Sequence, residues 1–335
     1  AEWIDNYPVE VKQPDGTVLN LFVTGDEYHN RVHDAEGYTL LRNPEGWVVY
    51  ATLRDGELVP TDIVYVQTNG IRRTKDAQDL GIGPNIDIPA EKWMQLRENF
   101  NNLPQKEDLS GGLKNAQAKS TTLRAGTMNN IGIYITFPEF SFENTHNAIA
   151  TLYNSTTSGQ SLKSYFRDIS NGQFLINSAF FPTQNGSATV IAYQAPQQRS
   201  YYMIGNGDAT GRIIEHTLLK DAIEHCRTQI EAALSATALD YDSDGYVDNI
   251  NFVIQGDVGA WNTLLWPHKW SLYTYDVKLN GKKVYDYNLL LENRCEPSTL
   301  VHETYHTLGA PDLYMYSTSG TGISSTSHPV GLWDV

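Results

Sequence analysis

The stretch VHETYHTLGAPD, residues 301–312, constrains the fold more than any other part of the 335-residue chain. Pro297, just ahead of it, suits the first turn of a helix, where its missing N–H is no loss. Gly309 suits the left-handed residue just beyond a helix end. A helix of about three turns is therefore expected between them. On it His302 and His306 stand four residues apart and share one face. Glu303 lies beside the first histidine. Gly309 lets the chain reverse sharply, which would bring Asp312 back toward the two imidazoles. Two imidazoles and a carboxylate suit zinc, with a fourth position left for water. An ion there lowers the pKa of its water to about 7. Glu303 is placed to take that proton as general base and pass it to a leaving nitrogen. By composition arithmetic, a His-Glu-x-x-His match arises by chance in about one chain in a hundred of this length. Requiring the Gly and the Asp makes chance rarer still, so a helix with unrelated histidines is the weaker reading.

The rest of the chain divides by pattern. Residues 1–102 alternate short β-like runs, such as GTVLNLFVTGDEY and GWVVYATL, with the turn signals PDG, PEG and RDG. They read as a small antiparallel β unit closed by a helix near 89–102. Residues 103–130 have no aromatic side chain and contain a Gly-Gly pair, which marks a linker. Lys119 and Arg124 within it are candidate processing sites. Residues 131–335 form a second unit. IGIYITF, GQFLINSAFF and NINFVIQG read as strands. NAIATLYN, SLKSYFRDIS and the stretch 211–234 read as helices, and the Asn-Gly pair of KLNGKKVY reads as a hairpin. The fold class expected is α+β.

Composition sets limits on partners. The formal net charge is −15 and no basic tract is present, which argues against nucleic acid and anionic membrane surfaces as partners. No apolar run approaches the ~20 residues needed to span a bilayer. The opening AEWIDNYPV has no signal-peptide pattern, so the protein is either cytosolic or stripped of a targeting peptide. Cys226 and Cys295, far apart in sequence, leave a disulfide open.

Other constellations each have two readings. Asp240, Asp242, Asp244 and Asp248, with Gly245 for a tight turn, match the start of a calcium loop, although Asn251 stands where a bidentate glutamate would close it. They read as a structural calcium site or as a solvated acidic turn. His268 in WPHKW is a packed, hydrogen-bonded histidine or a lining of a substrate cleft. His328 follows a Ser/Thr/Gly-rich loop and reads as exposed or as a pocket wall. His29 and His33 repeat the four-residue spacing in a β-like context, where it places no shared face, and read as surface residues.

The motif from His302 to Asp312, continued by LY and HPVGLWDV, resembles the M6 family of metalloproteases, the immune inhibitor A-like peptidases. SLKSYFRDISNGQF, DYDSDGYVDNINFVIQG and LLWPHKWSL look like segments of its catalytic domain. PDGTVLNLFVTGDEYHNRVHDAEGYTLL resembles the β-rich propeptide of some members. The resemblance implies a metzincin-like zinc protease domain with a twisted mixed sheet and an active-site helix, preceded by a small prodomain. It implies a secreted bacterial endopeptidase made as a zymogen, with protein or peptide substrates, Zn2+ as cofactor and its own propeptide as intramolecular inhibitor. In the family PVGxWD runs on into a methionine turn; this sequence stops at Val335, short of it, so the end of the catalytic domain is expected to be missing. No cysteine precedes Cys226, which excludes a cysteine switch. Asp26 in FVTGDEY is either the prodomain's zinc-blocking carboxylate or a polar turn residue. Substrate would pair with a sheet edge, placed near SLYTYDVKL. The competing function is a non-catalytic surface or adhesion protein that keeps a structural metal.

Overall fold

The structure, a computed structural model, describes residues 3–68, 71–72, 81–101, 106, 125–186, 188–203, 209–261 and 265–310. The first unit is an antiparallel meander whose strands pair in chain order: β1 (Ile4–Lys12), β2 (Val18–Gly25), β3 (Asn30–His33), β4 (Thr39–Arg42), β5 (Val48–Arg54) and β6 (Glu57–Val64). The turn signals fall between strands. Pro14-Asp15-Gly16 joins β1 to β2, Pro44-Glu45-Gly46 joins β4 to β5, and Asp55-Gly56 joins β5 to β6. Strand alternation sets the faces: Leu19, Leu21 and Val23 of β2 are buried and the residues between them are not. A minor pair, β7 (Gln67–Thr68) and β8 (Ile71–Arg72), and helix α1 (Ala90–Asn101) follow. Trp93 of α1 is buried and stacks on Trp3 at 5.3 Å between ring centres.

The second unit is built on β9 (Gly126–Thr136), β10 (Phe174–Phe181), β11 (Tyr193–Gln194), β12 (Asn249–Ile254) and β13 (His268–Ser271), then a hairpin of β14 (Lys278–Leu279) and β15 (Lys282–Lys283), and finally β16 (Asp286–Leu291). The sheet order is β10-β9-β12-β16-β13, with the short β11 also on β9. Strands β9, β10, β12 and β16 are parallel, and β13 runs antiparallel at the edge. The helices are α2 (His146–Asn154), α3 (Leu162–Ile169), α4 (Ala209–Ala233), α5 (Ala236–Leu239) and α6 (Pro297–Thr307). The hairpin is the expected one. Asn280 and Gly281 both take left-handed backbone, φ 45° and 81°, as a two-residue turn between twisted strands requires. An antiparallel sheet followed by a mixed sheet with helices makes the chain α+β.

Both faces of the mixed sheet are covered, which explains why β12 and β16 are buried along their whole lengths. Ile131, Ile133 and Ile135 of β9 face α4, whose Leu218, Leu219, Ala222 and Ile223 share their apolar cluster. Met128 and Tyr134, on alternate positions, face α2, α3 and α6 through Ile149, Tyr153, Phe166, Leu300 and Val301. The core of the antiparallel sheet is continuous with the first of these clusters. The seam between the units also carries polar contacts. The Trp261 indole donates to the Leu40 carbonyl at 2.8 Å, Arg42 lies over the Trp261 ring, the Tyr7 hydroxyl donates to Asp257, and Arg294 lies over the Tyr7 ring.

Several expectations change. Strand β9 begins at Gly126, inside the span read as linker, because its small and polar first residues still pair with β10. Lys119 and Arg124 lie outside the described residues. Cys226 and Cys295 are free and buried in different apolar clusters, on opposite faces of the sheet, so they do not pair. One edge of the mixed sheet is β13, His268–Ser271, which meets the expected stretch only at Ser271; after it the chain leaves the sheet for the separate hairpin. His33 is buried rather than on the surface, with Nε2 2.9 Å from the Thr24 hydroxyl and Nδ1 2.8 Å from the Asp34 carbonyl. His29 is partly buried against Asp87 at 2.6 Å. No helix among the described residues is long and apolar enough to cross a membrane.

Candidate metal centre

Helix α6 has the bounds that its sequence dictates. Pro297 occupies its first turn. Its end is a Schellman turn: the Ala310 N–H donates to the Tyr305 carbonyl at 2.9 Å and the Gly309 N–H to the His306 carbonyl at 3.0 Å, with Gly309 at φ 97°. A side chain other than glycine would be strained there.

This turn orients the site. His306 Nδ1 donates to the Ala310 carbonyl at 2.9 Å, and a carbonyl only accepts, so the proton of the neutral ring sits on Nδ1. Nε2 then presents its lone pair to His302 Nε2, 3.0 Å away. Two nitrogens on one tetrahedral zinc ion would be about 3.3 Å apart at ordinary Zn–N lengths. The 3.0 Å spacing is that of a direct ring-to-ring hydrogen bond, and it is also close to the spacing two ligands of one zinc ion would have, so the pair can hold a shared cation. Glu303 is fully buried beside it. The donor set thus fits zinc. Asp312 and His328 lie outside the described residues; among the described ones the site is formed by His302, Glu303 and His306.

Beneath α6 runs a stripe of buried amides that the sequence reading missed. Asn130, Asn249, Asn251 and Asn288 are all buried, and Thr307 at the end of α6 reaches Asn288 Oδ1 at 3.2 Å. Their signal was available as polar residues at the inward positions of otherwise apolar strands, NINFVI and DYNLLL. Glu292, also missed, is buried just before α6. Its Oε1 accepts from the N–H groups of Glu143 at 2.7 Å and Asn144 at 2.6 Å, and its Oε2 from Gly256 at 3.2 Å. One carboxylate thus ties together the loops that follow β9, β12 and β16.

His268 is enclosed rather than lining a cleft. Its Nδ1 donates to the Trp266 carbonyl at 2.6 Å, and its Nε2 meets Glu215 Oε1 of α4 at 3.1 Å. Tyr287 donates to the same Glu215 oxygen at 2.6 Å. Burial pushes the Glu215 carboxyl up, but His268 and Tyr287 outweigh it and hold it below the usual range. The pair fastens the edge strand β13 to α4. Next to it His216, fully buried, is pushed down to about 4 by burial, against the pull of Glu215. Its Nδ1 meets Thr274 at 2.8 Å, and its Nε2 has no hydrogen-bond partner among the described residues. The sign follows. With a folded value below the unfolded one near 6.5, the unfolded chain binds the proton first, so stability falls as pH drops from about 6.5 to about 4. Between pH 7 and pH 4.5 urea unfolding is expected to show a loss of about 2–3 kcal/mol from this residue. The His216→Phe variant should lose correspondingly less over the same interval, and an equal loss in both would refute the assignment.

The aspartate loop is partly as expected. Asp240, Asp242 and Asp244 bring carboxylate oxygens within 4.8 Å of one another. Asp240 also accepts from the N–H groups of Asp244 at 2.9 Å and Gly245 at 3.0 Å, and from Lys282 at 2.6 Å. Asp248 turns instead to the Tyr241 N–H, at 3.1 Å. Burial first, and then its three aspartate neighbours, push Asp248 up to about 8. Asp26 takes the form of a polar turn residue: it is fully buried, and its Oδ1 accepts from the N–H groups of Tyr28 at 2.9 Å and His29 at 3.0 Å.

In comparison with known proteins, no family model and no curated sequence matches this chain.

Proposed function

We propose that this protein is a secreted zinc endopeptidase of the M6, immune inhibitor A-like kind, of metzincin fold, held latent by its N-terminal sheet. One observation carries the reading: on α6, His302 and His306 turn their Nε2 atoms to within 3.0 Å of each other beside the buried Glu303. His302 and His306 would hold the ion, with Asp312 as third ligand. When bound, zinc supplies a Lewis acid that acidifies water and polarises a peptide carbonyl.

The chain's own groups do the rest. Glu303 takes the proton of the attacking water and delivers it to the leaving nitrogen. The Ala310 carbonyl holds His306 in the tautomer that puts the ring's lone pair on Nε2, the atom that would bind metal. Strand β13, antiparallel at the edge of an otherwise parallel run, offers its outer backbone groups to an extended peptide. The buried Glu215–His268 pair keeps that edge in place. A Ca2+ on the loop of Asp240, Asp242 and Asp244 would share Asp240 with Lys282 and Asp244 with Lys106, and would brace the scaffold rather than perform chemistry. The antiparallel sheet is the inhibitory prodomain, and its seam with the second unit supports that role.

The test is casein hydrolysis by an otherwise complete enzyme before and after a cut within residues 107–124 and release of the N-terminal fragment, then after chelation and after return of zinc. Cutting with release is expected to raise hydrolysis, chelation to abolish it and zinc to restore it. A chain that binds zinc yet hydrolyses nothing in any of these states would defeat the reading and favour a surface or adhesion protein with a structural metal.

A further inference from the structure

Among residues 102–124 the structure describes one, Lys106. It lies on the second unit. Its ammonium is 3.3 Å from Asp244 Oδ2, 3.2 Å from Asp286 Oδ2 and 4.6 Å from the centre of the Tyr246 ring. The pocket is built on fixed elements. Asp286 opens β16 and is buried; its other oxygen takes Lys269 at 2.6 Å and the Ser271 hydroxyl at 3.3 Å. Asp244 belongs to the aspartate loop, and its Oδ1 accepts the Tyr246 N–H at 2.9 Å. Two carboxylates and an aromatic face around one ammonium form a recognition site for a primary ammonium group.

We propose that Asp244, Asp286 and Tyr246 form an ammonium-binding pocket that retains residues 1–106 on the second unit after the chain is cut downstream of Lys106. The connectivity makes the pocket more than a surface ion pair. A cut at Lys119 or Arg124 leaves Lys106 on the N-terminal fragment and the pocket on the other. The fragment then has two attachments, the apolar seam with its Trp261 and Tyr7 contacts and the lysine in its pocket. Removing the lysine takes one of the two cations that the buried Asp286 meets among the described residues, and breaking a buried pair from one side is costly. Cutting and release are therefore separate steps, and the second is governed by Lys106.

The test uses the whole chain with an inserted protease site, cut after folding. In one version the site lies between Lys106 and Ala125, in the other between Asn101 and Lys106. Retention of a fluorescently labelled N-terminal fragment is followed on dilution. In the downstream-cut chain Lys106→Met is expected to weaken retention by about tenfold or more, as for a charge-assisted bond. In the upstream-cut chain the lysine stays with the pocket, and the same substitution should change retention less than about twofold. Asp286→Asn should match Lys106→Met in the downstream-cut chain, and the double variant should be no weaker than either alone. Lys106 lies outside every strand and helix, so its substitution carries the test even where Asp286→Asn does not fold. Equal retention with and without Lys106→Met in the downstream-cut chain overturns the proposal, as does an equal effect in both cut chains. The readout is physical retention, so its failure stands apart from failure of the peptidase reading.

Discussion

Glu303→Ala is expected to lower casein hydrolysis by about 10²–10⁴-fold, the usual contribution of a positioned general base, while zinc content stays at the wild-type level. The size follows from the placement of Glu303. It is next in sequence to His302, it is fully buried, and the imidazole pair stands on the same helix. A carboxylate there is shielded from bulk water, so its exchange of a proton with a reacting group is not replaced by solvent. Alanine also leaves a small cavity under α6, which confuses loss of chemistry with loss of packing. Glu303→Gln separates the two, since it keeps the volume and removes the base. Both variants should show the same fall in kcat/KM, with KM little changed, and Gln should keep the wild-type unfolding midpoint more closely. Hydrolysis by Glu303→Gln within about threefold of wild type would remove Glu303 from the mechanism.

What was legible in the sequence was what local backbone chemistry decides. Pro297 and Gly309 bracket α6 because each acts on the backbone at its own position, and the helix runs between them. Asn280-Gly281 fixed the hairpin for the same reason. The alternation in β2 and the unbroken apolar run of β12 told a half-covered strand from a fully covered one. The misreadings came from partners distant in the chain. Glu292 meets Glu143 and Asn144 nearly 150 residues earlier, with separations of 149 and 148, and no local period announces that. Glu215 and His268 meet across 53 residues because α4 lies over the edge strand. Cys226 and Cys295 were judged by count, yet which face of the sheet each lies on keeps them apart. Four aspartates were grouped by spacing, but the turn at Gly245 gathers three and directs Asp248 to the Tyr241 N–H. In the candidate site, His302 and His306 were readable as one helical face, with Glu303 their neighbour in sequence. The Ala310 carbonyl that sets the tautomer was not, because it depends on how the helix ends.

The central claim concerns the imidazole pair. Its two Nε2 atoms lie 3.0 Å apart, a hydrogen-bond distance that one zinc ion held by both rings would replace, and the proposal is that such an ion binds there. Replacing either histidine leaves one imidazole to hold the ion, so His302→Ala and His306→Ala should each lose zinc at micromolar total concentration and lose hydrolysis with it. Because α6 ends in a glycine turn closed by backbone bonds, the helix itself should survive both changes. The most direct measurement is zinc K-edge X-ray absorption on the purified protein, with metal content determined on the same sample. One zinc per chain is expected, with the scattering of two imidazoles at about 2.0–2.1 Å and with both signals gone in the His302→Ala, His306→Ala double variant. A chain that binds no zinc, or a double variant that keeps the wild-type imidazole signal, would contradict the account.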